Sequence, residues 1–179
     1  MLANDQARFF SSKRRSGTVY YGCRYRTNRR IRLATATGGC NDPAASIEQP
    51  RLAGRYVAFV PVFEGCTEGQ FESVVRVDLA TRKRQEIEPP LGAPMGTVFD
   101  SVDIESLELG SDGTVAWIAA SEPGEPNPDF GRQVGALRAR DSRPVTLDTG
   151  AGIEKGSLGL SAARIYWTKD GVTSSFSVR

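Results

Sequence analysis

The sequence predicts an all-β fold built from repeated antiparallel hairpins. Three observations carry that expectation: runs in which apolar and polar residues alternate with a period of two, a segment that recurs with its aromatics in register, and helix-breaking residues at aligned positions. The chain has 179 residues, 39% hydrophobic and 25% charged, which are ordinary values for a globular protein.

Taken in order, residues 1–17 (MLANDQARFFSSKRRSG) are rich in charge and are expected to be a flexible basic segment. Residues 18–36 alternate through Tyr21, Cys23 and Tyr25, then turn at RTNR and run on through Ile31 and Leu33. The same pattern returns in SVVRVDLATRKRQEIE and QVGALRARDSRPVTLD, which aligns Tyr25 with Leu79 and Ala139, and Leu33 with Ile87 and Leu147. RTNR, TRKR and RDSR then occupy hairpin turns. A second repeated element reads LAGRYVAFV, LGSDGTVAWIA and LSAARIYWT. In each copy a β-branched residue (Val57, Val115, Ile165) is followed two positions later by an aromatic (Phe59, Trp117, Trp167). Aromatics that recur at one repeat position pack a core, so both tryptophans are expected inside.

Residues 70–88 offer the one competing choice. They hold neither Gly nor Pro, and Phe71, Val75 and Leu79 would share a helix face. The aligned copies carry Gly22, Gly135 and Pro144, which turns the choice to strand and leaves almost no helix.

The segments Ser111-Asp112-Gly113-Thr114-Val115-Ala116-Trp117 and Val75-Arg76-Val77-Asp78-Leu79-Ala80-Thr81 resemble the repeats of TolB-like and WD-repeat-like bacterial β-propellers. The resemblance covers roughly residues 18–179 and implies one repeat domain of four-stranded blades. Residues 18–36 would supply the last two strands of a first blade, 49–89 a second, 101–149 a third, and 156–179 three strands of a last one. That totals about three blades, where rings hold about four to eight. The resemblance thus implies a partial propeller: an arc of a longer ring, or a ring completed by a homo-oligomer.

In that topology the loops holding Cys40 and Cys66 emerge on one face, which implies a Cys40–Cys66 disulfide worth about 3 kcal/mol in the chain-entropy model. Cys23 is left as a buried free thiol. A disulfide points to a secreted or cell-envelope setting, with the cytoplasm as the other setting. Loops 61–72 and 121–132, the latter with Phe130, would lie on the face where propellers meet ligands. Family likeness of this kind fixes a fold and leaves activity open.

Composition narrows the chemistry. With no histidine there is no Ser-His-Asp or Cys-His nucleophile and no imidazole metal ligand. The three cysteines form no CxxC pair, so no metal and no cofactor are expected. The run Asp100, Asp103, Glu105, Glu108 lacks the spacing of a calcium loop and reads as the solvent side of a strand. No eighteen-residue apolar run exists, so no membrane-spanning helix is expected. The N-terminal residues lack the apolar core of a secretory signal.

Net charge is only +2, yet residues 1–35 carry nine basic groups against the single acid Asp5. Hairpin geometry is expected to gather Arg24, Arg26, Arg30 and Arg32 on one face, with Arg29 at the turn, and guanidinium forks of this kind bind phosphate or sulfate. Arg outnumbers Lys 19 to 4 through the whole chain, so part of the cluster is composition. The expected function is a non-enzymatic module presenting loops to a protein or glycan partner. The alternative is binding of nucleic acid or another anionic polymer through the arginine-rich hairpin.

Overall fold

The computed structural model describes residues 1–36, 46–62, 72–89, 101–122 and 131–178. Its described residues form fifteen strands and no helix, as the alternating pattern predicts. Sheet I comprises β1 (Leu2–Ala3), β2 (Ala7–Arg14), β3 (Gly17–Arg24) and β4 (Arg29–Ala36). Sheet II comprises β5 (Ser46–Ala53), β6 (Tyr56–Val62), β7 (Val74–Asp78) and β8 (Arg84–Ile87). Sheet III holds β9 (Ser101–Leu109), β10 (Val115–Glu122), β11 (Arg132–Leu137) and β12 (Val145–Gly150). Sheet IV holds β13 (Gly159–Leu160), β14 (Arg164–Lys169) and β15 (Val172–Ser177). Every sheet is an antiparallel meander whose strands lie in sequence order.

One expectation is corrected at the start of the chain. Leu2–Ala3 and Ala7–Arg14 are strands, not parts of a flexible basic segment: Ala7 and Phe9 are buried at 0% and 5% exposure, with charged Arg8 between them. The first sheet is therefore complete, with four strands where two were expected.

The turns follow local chemistry. Asp112 accepts hydrogen bonds from the backbone N and hydroxyl of Thr114, each at 2.9 Å, and Gly113 takes φ 94°, closing the β9–β10 hairpin. In the β7–β8 turn Asp78 Oδ1 accepts the Ala80 N–H at 2.8 Å and Arg82 adopts φ 64°. Asn28 at φ 47° plays the matching part between β3 and β4.

Three apolar clusters join consecutive sheets. Ala7, Phe9 and Leu33 of sheet I meet Val57, Phe59, Val75, Val77 and Leu79 around sheet II. Ala58, Val60 and Val74 meet Ile104, Leu107, Val115 and Trp117 of sheet III. Ala116, Ile118, Val134 and Ala136 then meet Ile165 and Trp167 of sheet IV. The two middle sheets are buried on both faces, so β7 and β11 are buried along nearly their whole length, Arg76, Asp78 and Gln133 included, whereas β2 and β14 alternate. Phe59 and Trp117 are fully enclosed and Trp167 is 5% exposed, as the repeat predicts. Burying each such side chain contributes about 1.5–3 kcal/mol.

Close approach explains two glycines. A Cβ on Gly22 would strike Leu79, which covers it from sheet II, and one on Gly135 would strike the Trp117 indole lying across it. Polar links reinforce the stack. Arg84 donates to the Leu33 carbonyl at 2.8 Å, joining II to I, and Arg76, 8% exposed, donates to the Gly113 carbonyl at 2.6 Å, joining II to III. Trp167 and Lys169 both donate to Asp148, at 2.8 and 2.9 Å, joining IV to III. First strands of consecutive sheets lie side by side, β1 by β5, β5 by β9 and β9 by β13.

Candidate anion-binding face

The register of sheet I decides which arginines meet. Cys23 pairs with Arg8 on one side and Arg30 on the other, and Tyr21 pairs with Phe10 and Arg32. Directly paired residues project to the same face, so Arg8, Phe10, Tyr21, Cys23, Arg30 and Arg32 share one surface, together with Ser12 and Arg14 by alternation along β2, and Cys23, between Arg8 and Arg30, is itself only 1% exposed. The opposite face carries Ala7, Phe9 and Ile31 toward sheet II. This outward face is therefore the free side of the stack.

Its geometry is specific. The Phe10 and Tyr21 rings are stacked, with centroids 5.4 Å apart and planes inclined by 24°. The Arg8 guanidinium carbon sits 5.2 Å from the Phe10 centroid, a cation–π distance. Arg14 donates to the Tyr21 hydroxyl at 3.3 Å. Arg8, Arg14, Arg30 and Arg32 are exposed, while Phe10 and Tyr21 are half-buried. A depression of about 560 Å³ opens beside them, lined by Met1, Arg8, Phe10, Ser11, Asn28 and Arg30. Among the described residues, no ion pair engages any of the four guanidinium groups, so their charge is available.

The sequence had placed the cluster differently. Arg24 pairs with Arg29, which sends both to the other face from Arg30 and Arg32, and Arg26 lies in the exposed turn. The expected gathering of Arg24, Arg26, Arg30 and Arg32 on one face is thus corrected: the outward face holds Arg30 and Arg32 and replaces the other two with Arg8 and Arg14. Sequence reasoning missed those two because β2 went unrecognised. The signal was present, since Asn4-Asp5 is a turn pair followed by Ala7 and, two positions on, the aromatic Phe9.

Cys23 is 1% exposed and free, as expected. Cys40, Cys66 and Phe130 lie outside the described residues, as does most of loops 61–72 and 121–132.

The acidic run is absorbed by structure. Arg132 holds Glu105 through Nε and, at 3.1 Å, through its second guanidinium nitrogen, with Lys155 3.7 Å away. Glu108 pairs with Arg51 at 3.7 Å, and Asp100 lies outside the described residues. Among the described residues no group of three metal-ligating side chains could hold an ion. Nor is any helix long and apolar enough to cross a membrane.

Among the described residues, Glu72 is the one strongly perturbed carboxyl. Burial between sheets II and III raises its pKa from 4.5 to about 7, Asp103 and Glu48 add to the rise, and the Ile104 N–H, donating to Oε2 at 2.6 Å, opposes it. A roomier cleft of about 780 Å³ lies at the turns, between Tyr56, Asp112, Arg138, Arg140 and Asp141. Its charges neutralise one another, for Arg138 binds Asp141 at 2.6 Å and Asp112 is spent on Thr114. Volume alone favours that cleft, but uncompensated charge favours the sheet I face. No protein-family model matches this chain, and no curated protein matches it.

Proposed function

We propose that this chain is a non-enzymatic binding module of propeller-type blades that takes an anionic polymer on the outward face of sheet I. The observation that carries the proposal is the convergence of Arg8, Arg14, Arg30 and Arg32 on one exposed sheet face with no acidic side chain among them. Four guanidinium groups spread over two strands, β2 and β4, on either side of β3 suit a repeating anion better than a single small one. The propeller-type reading is supported by the in-order meanders and by first strands lying side by side.

Binding is read by fluorescence anisotropy with labelled heparin and a labelled DNA oligomer at about 50 and 200 mM salt. Affinity is expected to fall by at least tenfold across that range, as counterion release requires. The double variant Arg30→Glu, Arg32→Glu should abolish it while retaining the wild-type melting profile, because both side chains are exposed. Affinity that ignores salt, or survives the double variant, refutes the assignment.

A further inference from the structure

Resting on that assignment, we infer that the preferred polymer is a single-stranded nucleic acid whose bases stack on the Phe10–Tyr21 pair. A face made only for sulfate or phosphate has no need of aromatics in its middle. Here they occupy the centre: Phe10 and Tyr21 sit side by side on β2 and β3, flanked by Arg8 and Arg14 along β2 and by Arg30 and Arg32 along β4. Neighbouring strands are about 4.8 Å apart and alternate residues along a strand about 6.6 Å apart. Arg8 and Arg32 therefore stand one step from the ring pair, and Arg14 reaches back to the Tyr21 hydroxyl at 3.3 Å, so cations flank the rings on both sides, where backbone phosphates lie when bases point at the sheet.

This combination of a basic surface and a central aromatic platform is what sequence-tolerant single-strand recognition requires, since every base offers a π-face. A duplex hides its base faces in the stack and could use the arginines alone. A sugar ring has no π-face and offers the aromatic pair only C–H contacts, whereas every base can stack. Arg8 supports the same conclusion, for its guanidinium already lies over Phe10 at 5.2 Å, and a base can replace it there or stack on its plane. The adjoining depression of about 560 Å³ falls within the size of small-molecule sites and offers room for an unstacked nucleotide beside Arg8, Phe10 and Arg30.

The test compares three labelled ligands on the full chain: an oligothymidine of about 12 nucleotides, a self-complementary duplex of equal length, and heparin. Wild type should bind the single strand more tightly than the duplex. Phe10→Leu keeps the apolar volume but removes the π-face, so it should weaken single-strand binding by about tenfold or more while leaving heparin unchanged. Ultraviolet crosslinking to an iodouridine oligomer, mapped by mass spectrometry, should label the Phe10 or Tyr21 peptide, and it remains decisive should Phe10→Leu unfold. If heparin and duplex bind as tightly as the single strand and crosslinks fall elsewhere, the stacking inference fails and the polyanion assignment survives. If nothing binds at low salt, both fail.

Discussion

Glu72 makes the stability of the stack depend on pH in a direction opposite to most carboxylates. Its backbone N–H donates to the Val102 carbonyl at 2.9 Å and its Oε2 accepts the Ile104 N–H at 2.6 Å, which pins the side chain against β9, the first strand of sheet III. Burial and the neighbouring Asp103 and Glu48 hold its proton to about pH 7. The folded state therefore binds that proton more tightly than the unfolded chain, whose carboxyl titrates near its ordinary value of 4.5. The resulting stability is full below pH 4.5 and is lost as pH rises toward about 7. Unscreened, the displacement would correspond to about 3 kcal/mol, and solvent screening of this half-buried group reduces it to about 1–2 kcal/mol.

Glu72→Gln isolates the effect. The amide oxygen can still accept the Ile104 N–H, and its NH2 can donate to Asp103 as the protonated acid does, but nothing ionises. Melting temperatures of wild type and variant should agree near pH 5 and diverge as pH rises. By pH 8 the variant should melt about 2–8 °C higher, given about 2–4 °C per kcal/mol at this chain length. Thermal unfolding followed by circular dichroism between pH 5 and 8 reads this directly. Parallel curves across that range would show that Glu72 is ionised in the folded protein and that the packed acid cluster does not exist as described.

Two further predictions concern the core and Cys23. Gly135→Ala places a methyl into the Trp117 indole, which is fully enclosed and cannot retreat, so chemical denaturation should show a loss of about 1–3 kcal/mol; an unchanged midpoint would mean that the ring does not lie across β11. Alkylation followed by peptide mapping should find Cys23 modified only after unfolding, and Cys23 in any disulfide would contradict its burial at 1% exposure.

Much of the architecture was legible because its signals are local. Val57, Val115 and Ile165, with Phe59, Trp117 and Trp167 two residues on, announce the second strand of three sheets, and all six are buried. The first sheet was harder to read since Arg8, Lys13 and Arg14 crowd the strand that Ala7 and Phe9 define. The arginine face was misassigned for a different reason. Which residues share a face depends on the parity of the hairpin register, and a one-residue slip sends every side chain to the other side. The four-residue turn Tyr25–Asn28 sets Arg24 opposite Arg29, and no propensity encodes that choice. A second irregularity, the bulge between Tyr20 and Tyr21, leaves Leu33 without a direct partner and sets Ala34 opposite Tyr20, while Leu33 keeps the core face it shares with Ile31 and lies close to Gly22.

The two outer faces of the stack are unlike each other, and that difference bears on function. Both stay polar, so the ends of the stack avoid the broad apolar surface that an exposed middle sheet would present. On sheet IV the outward positions are Arg164, Tyr166, Thr168, Thr173, Ser175 and Ser177, and Arg164 is tied to the Ser175 hydroxyl at 3.0 Å. Hydroxyl groups are sufficient to keep such a face solvated. Sheet I has the same need and meets it with four arginines and a stacked aromatic pair, a more demanding solution in self-repulsion than solvation alone calls for. Like charges gathered around half-buried rings cost stability in the free protein and return it when an anion is bound. The asymmetry between the two ends is therefore the physical reason to look for the ligand on sheet I.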